Sequence, residues 1–171
     1  MKLKKVSKIN QVLNEFLAEF DAVCDMGSDF CYWNSESLIH YTLVISERQN
    51  THFMDNFNKL APDINCDVFL ASFLHELGHH ETLHMFDDAD EAYCRDYKEM
   101  LHSRLINEIP IGEAEAEIYR QYFNLPDEYE ATMWAIEYMR ENADKVKELW
   151  EKIKVAIMDF YKANNVEVEL A

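Results

Sequence analysis

Glycine and proline are scarce in this sequence, with three of each among 171 residues. Tight turns favour both residue types, so their scarcity indicates a chain built mostly of helices with few sharp reversals. Basic residues are also few, since 16 Lys and Arg stand against 33 Asp and Glu and give a formal net charge of −17. Such a charge argues against nucleic-acid binding as the main function, because phosphates would be repelled.

Paired cysteines and long apolar runs are absent. The four cysteines, Cys24, Cys31, Cys66 and Cys94, form no C-x-x-C pair, so we expect free, buried or partly buried thiols in a reducing compartment. No apolar run approaches the roughly 20 residues that would span a bilayer. The first helical segment is amphipathic and is not a continuous apolar signal core. We therefore expect a cytoplasmic protein that contacts no membrane.

Hydrophobic residues are plentiful, at 49% of the chain, and include ten Phe, nine Tyr and three Trp. That content and the length suit one domain with a sizeable core, spanning residues 1–171. No internal repeat or low-complexity linker divides the sequence.

Apolar periodicity predicts most of the secondary structure. Helical spacing covers residues 6–23, 65–85 and 143–163, and further helices are expected over 87–106, 113–123 and from Pro126 onward. Aromatic and β-branched residues over 30–33 and 38–46 predict two strands of a small sheet. The polar segment 47–63 is expected to be irregular. The predicted fold class is α+β and mostly helical.

The segment from Phe73 to His84, FLHELGHHETLH, contains the pattern H-E-x-x-H. On a helix, His75 and His79 project from one face about one turn apart, which lets both imidazoles bind one ion at about 2.0–2.1 Å. Glu76, next to the first histidine, is placed to take a proton from water as a general base. The pattern therefore predicts a zinc-dependent hydrolytic site.

A catalytic zinc site needs a third protein ligand. The metzincin pattern would require a glycine and a histidine where this chain has Thr82 and Met85, so that class is excluded. A glutamate from a later helix is the alternative. Glu113, which opens the segment GEAEAEIY, is the favoured candidate, and Glu115 and Glu117 compete with it.

HELGHHETLH followed by EAEAEIY resembles the gluzincin metallopeptidases, and most closely the ImmA/IrrE family. That family carries H-E-x-x-H, then L-H, then E-x-x-A-N-x-F-A on a later helix. Leu83 and His84 match the L-H of that family, one residue further along than usual. Three residues of the later segment match its Glu, Ala and aromatic positions: Glu113, Ala116 and Tyr119. Glu117 and Arg120 depart from it. The resemblance covers residues 65–123, about a third of the chain.

The resemblance implies a compact zincin-like domain with a small sheet beside the H-E-x-x-H helix. It also implies a Zn²⁺-dependent peptidase that cleaves a specific regulatory protein, as is common in phage and mobile elements. In that interpretation His75, His79 and Glu113 hold the metal and Glu76 is catalytic.

Three questions stay open at the level of sequence. The strand over 38–46 suits either an open edge that receives a peptide or an interior position. His84, His102, Tyr41 and Tyr119 are all candidates for stabilising an oxyanion. A different class of function is an acidic, non-catalytic interaction protein that mimics nucleic acid, with a structural or vestigial metal site.

Overall fold

The computed structural model describes residues 7–26, 32–33, 38–41 and 47–163. These residues are mostly helical, as predicted. Their α-helices are α1 (Ser7–Leu17), α2 (Glu47–Leu60), α3 (Val68–Thr82), α4 (Asp88–Asn107), α5 (Glu113–Phe123), α6 (Pro126–Glu141) and α7 (Ala143–Ala163). None of them contains an apolar stretch long enough to cross a membrane.

The chain divides into two compact units. The first combines Met1–Val44 with Tyr138–Ala171, and the second is Ile45–Glu137. The expectation of one domain over residues 1–171 stays a prediction. Every residue of the candidate site described below lies in the second unit, which contains α2 to α5 and most of α6.

The first unit contains a three-stranded sheet and the packed pair α1 and α7. Its strands are β1 (Val23–Met26), β2 (Tyr32–Trp33) and β3 (Leu38–Tyr41). β3 lies in the middle, parallel to β1 and antiparallel to β2. The two predicted strands therefore exist and pair, although residues 30–31 and 42–46 lie outside the described part. Over Leu38–Tyr41 the strand is interior, so the open-edge interpretation is wrong there.

The sequence did not predict β1. The helix predicted over residues 6–23 is shorter in the structure, because α1 stops at Leu17 and a 3-10 turn follows to Phe20. Asp21 then takes the left-handed conformation, with φ of 52°, and redirects the chain. The Asn14 amide bonds both the backbone N–H and the carbonyl of Cys24, at 2.7 and 2.9 Å, and so fixes β1 against α1.

The expectation of an irregular segment over 47–63 is wrong, because most of it forms α2. Phe53 and Phe57, four residues apart, are both buried, and Ala61 follows after another four. This narrow apolar stripe is enough to bury one face of a helix whose other positions are polar. The segment as a whole is polar, so its composition did not indicate this stripe.

Aspartates begin α3 and α4 in the second unit. The side chain of Asp67 accepts a hydrogen bond from the Phe69 backbone N–H at 2.8 Å, so α3 begins at Val68. Asp87 and Asp90 form a reciprocal capping box at the start of α4. The predicted helices over 65–85 and 87–106 are thus confirmed, with the first ending in a 3-10 turn at Leu83–Met85.

Free thiols are observed wherever cysteine is described. Cys24 and Cys94 are buried and Cys66 is half-buried, and none of these three forms a disulfide. Burial, together with the negative charge of Asp67, raises the pKa of Cys66 to about 11. The Cys66 thiol is therefore protonated and unreactive at neutral pH.

Gly78 lets α3 and α6 approach at backbone distance. A Cβ atom built on Gly78 would lie 2.3 Å from the carbonyl oxygen of Ala131. We expect Gly78→Ala to lower the free energy of unfolding by about 1–3 kcal/mol, because overpacking outweighs the roughly 1 kcal/mol gain in helix propensity. Urea unfolding would measure this change. Glu99→Ala, at an exposed position of α4, is the control and should stay within about 0.5 kcal/mol. Equal or greater stability of Gly78→Ala would show that the two helices do not pack this closely.

Candidate metal centre

The α3 helix presents His75 and His79 on one buried face. Their rings lie nearly perpendicular, with centroids 4.7 Å apart. The ring of Phe53 from α2 packs edge-on against His75 at 5.4 Å. His75 is buried and the side chain of His79 is 13% exposed. The sequence expectation that both imidazoles share one face is therefore confirmed.

Glu128, in the first turn of α6, completes a three-residue cluster with these histidines. It is buried, at 4% exposure. Its Oε2 lies 3.2 Å from Nε2 of His75, and its Oε1 lies 3.5 Å from Nε2 of His79. One ligand atom from each of the three residues falls within 4.8 Å of the others. Tetrahedral ligands at about 2.0–2.2 Å from one zinc ion are about 3.3–3.6 Å apart. The two carboxylate–imidazole distances, each through a different oxygen of Glu128, are close to that spacing.

A hydrogen-bonded chain through Thr132 orients His75. The Thr132 hydroxyl donates to the backbone carbonyl of Glu128 at 2.8 Å, and Nδ1 of His75 lies 3.0 Å from the same hydroxyl oxygen. Because the only hydroxyl proton is already used, the oxygen accepts from Nδ1–H. Nε2 of a neutral His75 then points its lone pair at the Glu128 carboxylate. Two acceptors 3.2 Å apart require a cation between them, which is either a proton or a metal ion.

The donor set and its support therefore fit a divalent metal. Two imidazole nitrogens and one carboxylate oxygen are ligands typical of catalytic zinc, which keeps a fourth position open. A second residue that bonds the far nitrogen of a ligand histidine is the usual supporting arrangement, and buried Thr132 provides it.

Charged groups near Glu128 shift its pKa, and Glu128 shifts theirs. Burial alone would raise the pKa of its carboxyl, but the charges of His79 and Lys98 and the histidine hydrogen bonds hold that pKa well below 4.5. Burial alone would lower the pKa of His79, but the attraction of Glu128, aided by Glu76, raises it above 6.5. Burial and the nearby carboxylates Glu128 and Glu76 raise the pKa of Tyr122 well above 10. These groups share one electrostatic environment.

These shifts predict how the stability of the metal-free chain depends on pH. The depressed pKa of Glu128 gives stability that is present above pH 4.5 and lost as pH falls through the folded value. The raised pKa of His79 gives stability that is present below pH 6.5 and lost as pH rises through the folded value. Glu128 and His79 together should therefore contribute most to the free energy of unfolding between pH 4.5 and 6.5. Urea unfolding in the presence of a chelator would measure this contribution. His79→Gln should remove the decline above that window, and an unchanged decline would contradict the assignment.

Of the residues predicted from sequence, Glu76 lies beside the cluster and Glu113 does not. Glu76 is half-buried, and its charge acts on both His79 and Tyr122. The side chain of Glu113 is 83% exposed and binds Arg120 at 2.6 Å. Glu117 is also exposed and binds the same guanidinium. Glu128 thus replaces Glu113 as the candidate third ligand, because the first turn of α5 directs Glu113 into solvent.

Glu115, the other alternative, is buried but belongs to a different cluster. Its carboxylate lies 3.8 Å from Nε2 of His52 in α2, and the His52 ring stacks on Tyr119 at 4.3 Å. This contact ties α5 to α2. Among the candidates for the oxyanion, Tyr119 has this stacking contact, His84 and His102 are exposed, and the side chain of Tyr41 lies outside the described part.

Nothing in the sequence singled out Glu128. It stands in an acidic first turn after Pro126, where Asp and Glu are common for electrostatic reasons alone. The usable signal was Thr132, four residues later on the same helical face. That pairing becomes informative only when α6 is known to pack against α3 at Gly78.

Comparisons with known proteins give no further guide. No family model, no curated protein and no solved structure matches this chain. The functional interpretation therefore depends on the geometry of the cluster and on the motif.

Proposed function

We propose that this chain is a zinc-dependent metallopeptidase that hydrolyses peptide bonds. The observation that carries the proposal is the buried cluster of His75, His79 and Glu128, with Thr132 fixing the His75 tautomer. Glu76 is the proposed catalytic residue, since it follows the first ligand histidine and its charge acts within the cluster. Burying a carboxylate that faces two imidazoles between apolar helices is costly, and a metal ion bound to these groups would offset that cost.

Each residue has a separate task in this proposal. When bound, zinc would supply Lewis acidity, which polarises a carbonyl and lowers the pKa of water to about 7. Glu76 would accept the proton of the attacking water on a carboxylate oxygen and deliver it to the leaving amine nitrogen. Thr132 would hold the His75 ring in the tautomer that frees Nε2 for the metal.

We propose, more narrowly, a regulatory protease of ImmA/IrrE type with a specific protein substrate. The support is the motif HELGHHETLH and the helical segment that follows it. A zincin-like fold belongs to the same proposal. Glu113 departs from the resemblance. The matching glutamate of the family would be a metal ligand, whereas Glu113 is exposed and pairs with Arg120.

Metal content and metal-dependent cleavage test the proposal together. Purified protein is expected to retain about one zinc per chain. Incubated with a proteome-derived peptide library, it should cleave a narrow set of sequences. A chelator should stop cleavage, and added zinc should restore it. Protein that binds no zinc at micromolar concentration would refute the proposal.

A further inference from the structure

Lys98 of α4 lies directly against the candidate third ligand. Its ammonium contacts Oε1 of Glu128 and lies 2.6 Å from Oδ2 of Asp127. The side chain is 22% exposed, and its Nζ lies 5.5 Å from the centre of the Tyr122 ring. The charge of a lysine beside the candidate ligand carboxylate opposes that of any metal ion bound there.

The two oxygens of Glu128 have different partners. Oε2 faces Nε2 of His75 at 3.2 Å, on the side where the metal would bind. Oε1 contacts the Lys98 ammonium and lies 3.5 Å from Nε2 of His79. Both oxygens therefore face a candidate ligand imidazole, but Oε1 also accepts from the lysine, which leaves Oε2 the more available to an ion.

Two consequences follow from elementary electrostatics. An ammonium near a divalent ion raises the free energy of the bound state, and a carboxylate that already accepts from an ammonium is a weaker donor to metal. A carboxylate with one oxygen occupied also binds a metal through a single bond, which leaves one more coordination position for water or substrate.

We propose that Lys98 is a positioning residue that restricts Glu128 to one metal bond and lowers the affinity of the site for zinc. The inference rests on the proposed function only in requiring that the cluster binds zinc. In the metal-free protein the same ammonium neutralises the buried carboxylate, so the site stays folded before the ion arrives. The site therefore binds zinc less tightly but keeps one coordination position open.

Lys98→Met tests this proposal because Met has a similar length without the charge. Zinc affinity, measured by competition with a chromophoric chelator, should increase by about 10-fold or more. Cobalt substitution supplies a second measurement. The visible absorption of bound Co²⁺ should weaken in the variant, since a carboxylate that binds through both oxygens raises the coordination number. The metal-free variant should melt at a lower temperature than the wild-type chain.

Matched variants separate charge from packing. Lys98→Arg keeps the charge and should bind zinc close to the wild-type affinity, whereas Lys98→Gln should bind more tightly, as Met does. Lys145→Met removes a lysine that pairs with exposed Glu19 and should leave zinc affinity unchanged. Circular dichroism would establish that each variant is folded, and the Gln variant carries the test if the Met variant is not.

The outcomes distinguish this inference from the proposed function. If the wild-type chain binds zinc while Lys98→Met and Lys98→Gln bind it equally or more weakly, Lys98 is only structural and the inference is overturned. If the wild-type chain binds no zinc, the metal centre fails, and the role of Lys98 fails with it.

Discussion

Glu76→Gln is expected to retain zinc and to lose peptide hydrolysis, with kcat falling by about 10²- to 10⁴-fold. Gln has the shape of Glu but cannot accept a proton near neutral pH, so the attacking water loses its base. Glu76 is not one of the three clustered residues, and zinc affinity should therefore change little. Zinc content and single-turnover cleavage of a selected peptide would measure the two effects separately.

Glu81→Gln is the matched control for this variant. Glu81 lies near the end of the same helix, α3, and pairs with His80 at 3.7 Å, outside the cluster. Glu81→Gln should keep both zinc and activity, because it removes the same charge without removing the proposed base. If Glu76→Gln cleaves as fast as the wild-type chain, Glu76 is not the base. If the wild-type chain itself cleaves no peptide, the peptidase proposal fails, and an acidic surface that binds a basic partner becomes the better explanation.

The helices that carry the histidines were predictable because local signals agree. Helical apolar spacing, the aspartate at position 67 and the H-E-x-x-H pattern all favour a helix through His75 and His79, and α3 forms there. Pro126 likewise predicts the start of α6. In contrast, α2 was missed because its buried residues are few, and β1 was missed because helical spacing continued past the end of α1.

The third ligand could not be predicted, because it depends on which helix packs against α3. Glu113 and Glu128 both stand in the acidic first turn of a helix, so their local environments in the sequence are alike. The difference is tertiary. Gly78 allows the backbone of α6 to approach at Ala131, and this contact brings the first turn of α6 to the histidines. Only one of the two helices can make so close a contact with that face.

Glu128→Gln is expected to weaken zinc binding by more than about 100-fold, beyond the loss typical of a supporting residue. The substitution removes the anionic ligand and leaves the Lys98 ammonium with Asp127 as its remaining carboxylate partner at this site. Removing one partner of this pair should also lower the stability of the metal-free chain, by about 1–3 kcal/mol, because Asp127 still accepts from the ammonium. Chelator competition would give the affinity, and urea unfolding would give the stability.

Glu113→Gln is the matched comparison, since it makes the same chemical change at the ligand position that the sequence favoured. Glu113 is mostly exposed and its described ion pair is with Arg120, so zinc affinity should stay within about 2-fold of the wild-type value. The reverse result, with zinc lost in Glu113→Gln and kept in Glu128→Gln, would assign the third ligand to α5. It would also mean that α6 does not bring its first turn to His75, because the carboxylate and Thr132 lie on the same helical face and reach that ring together.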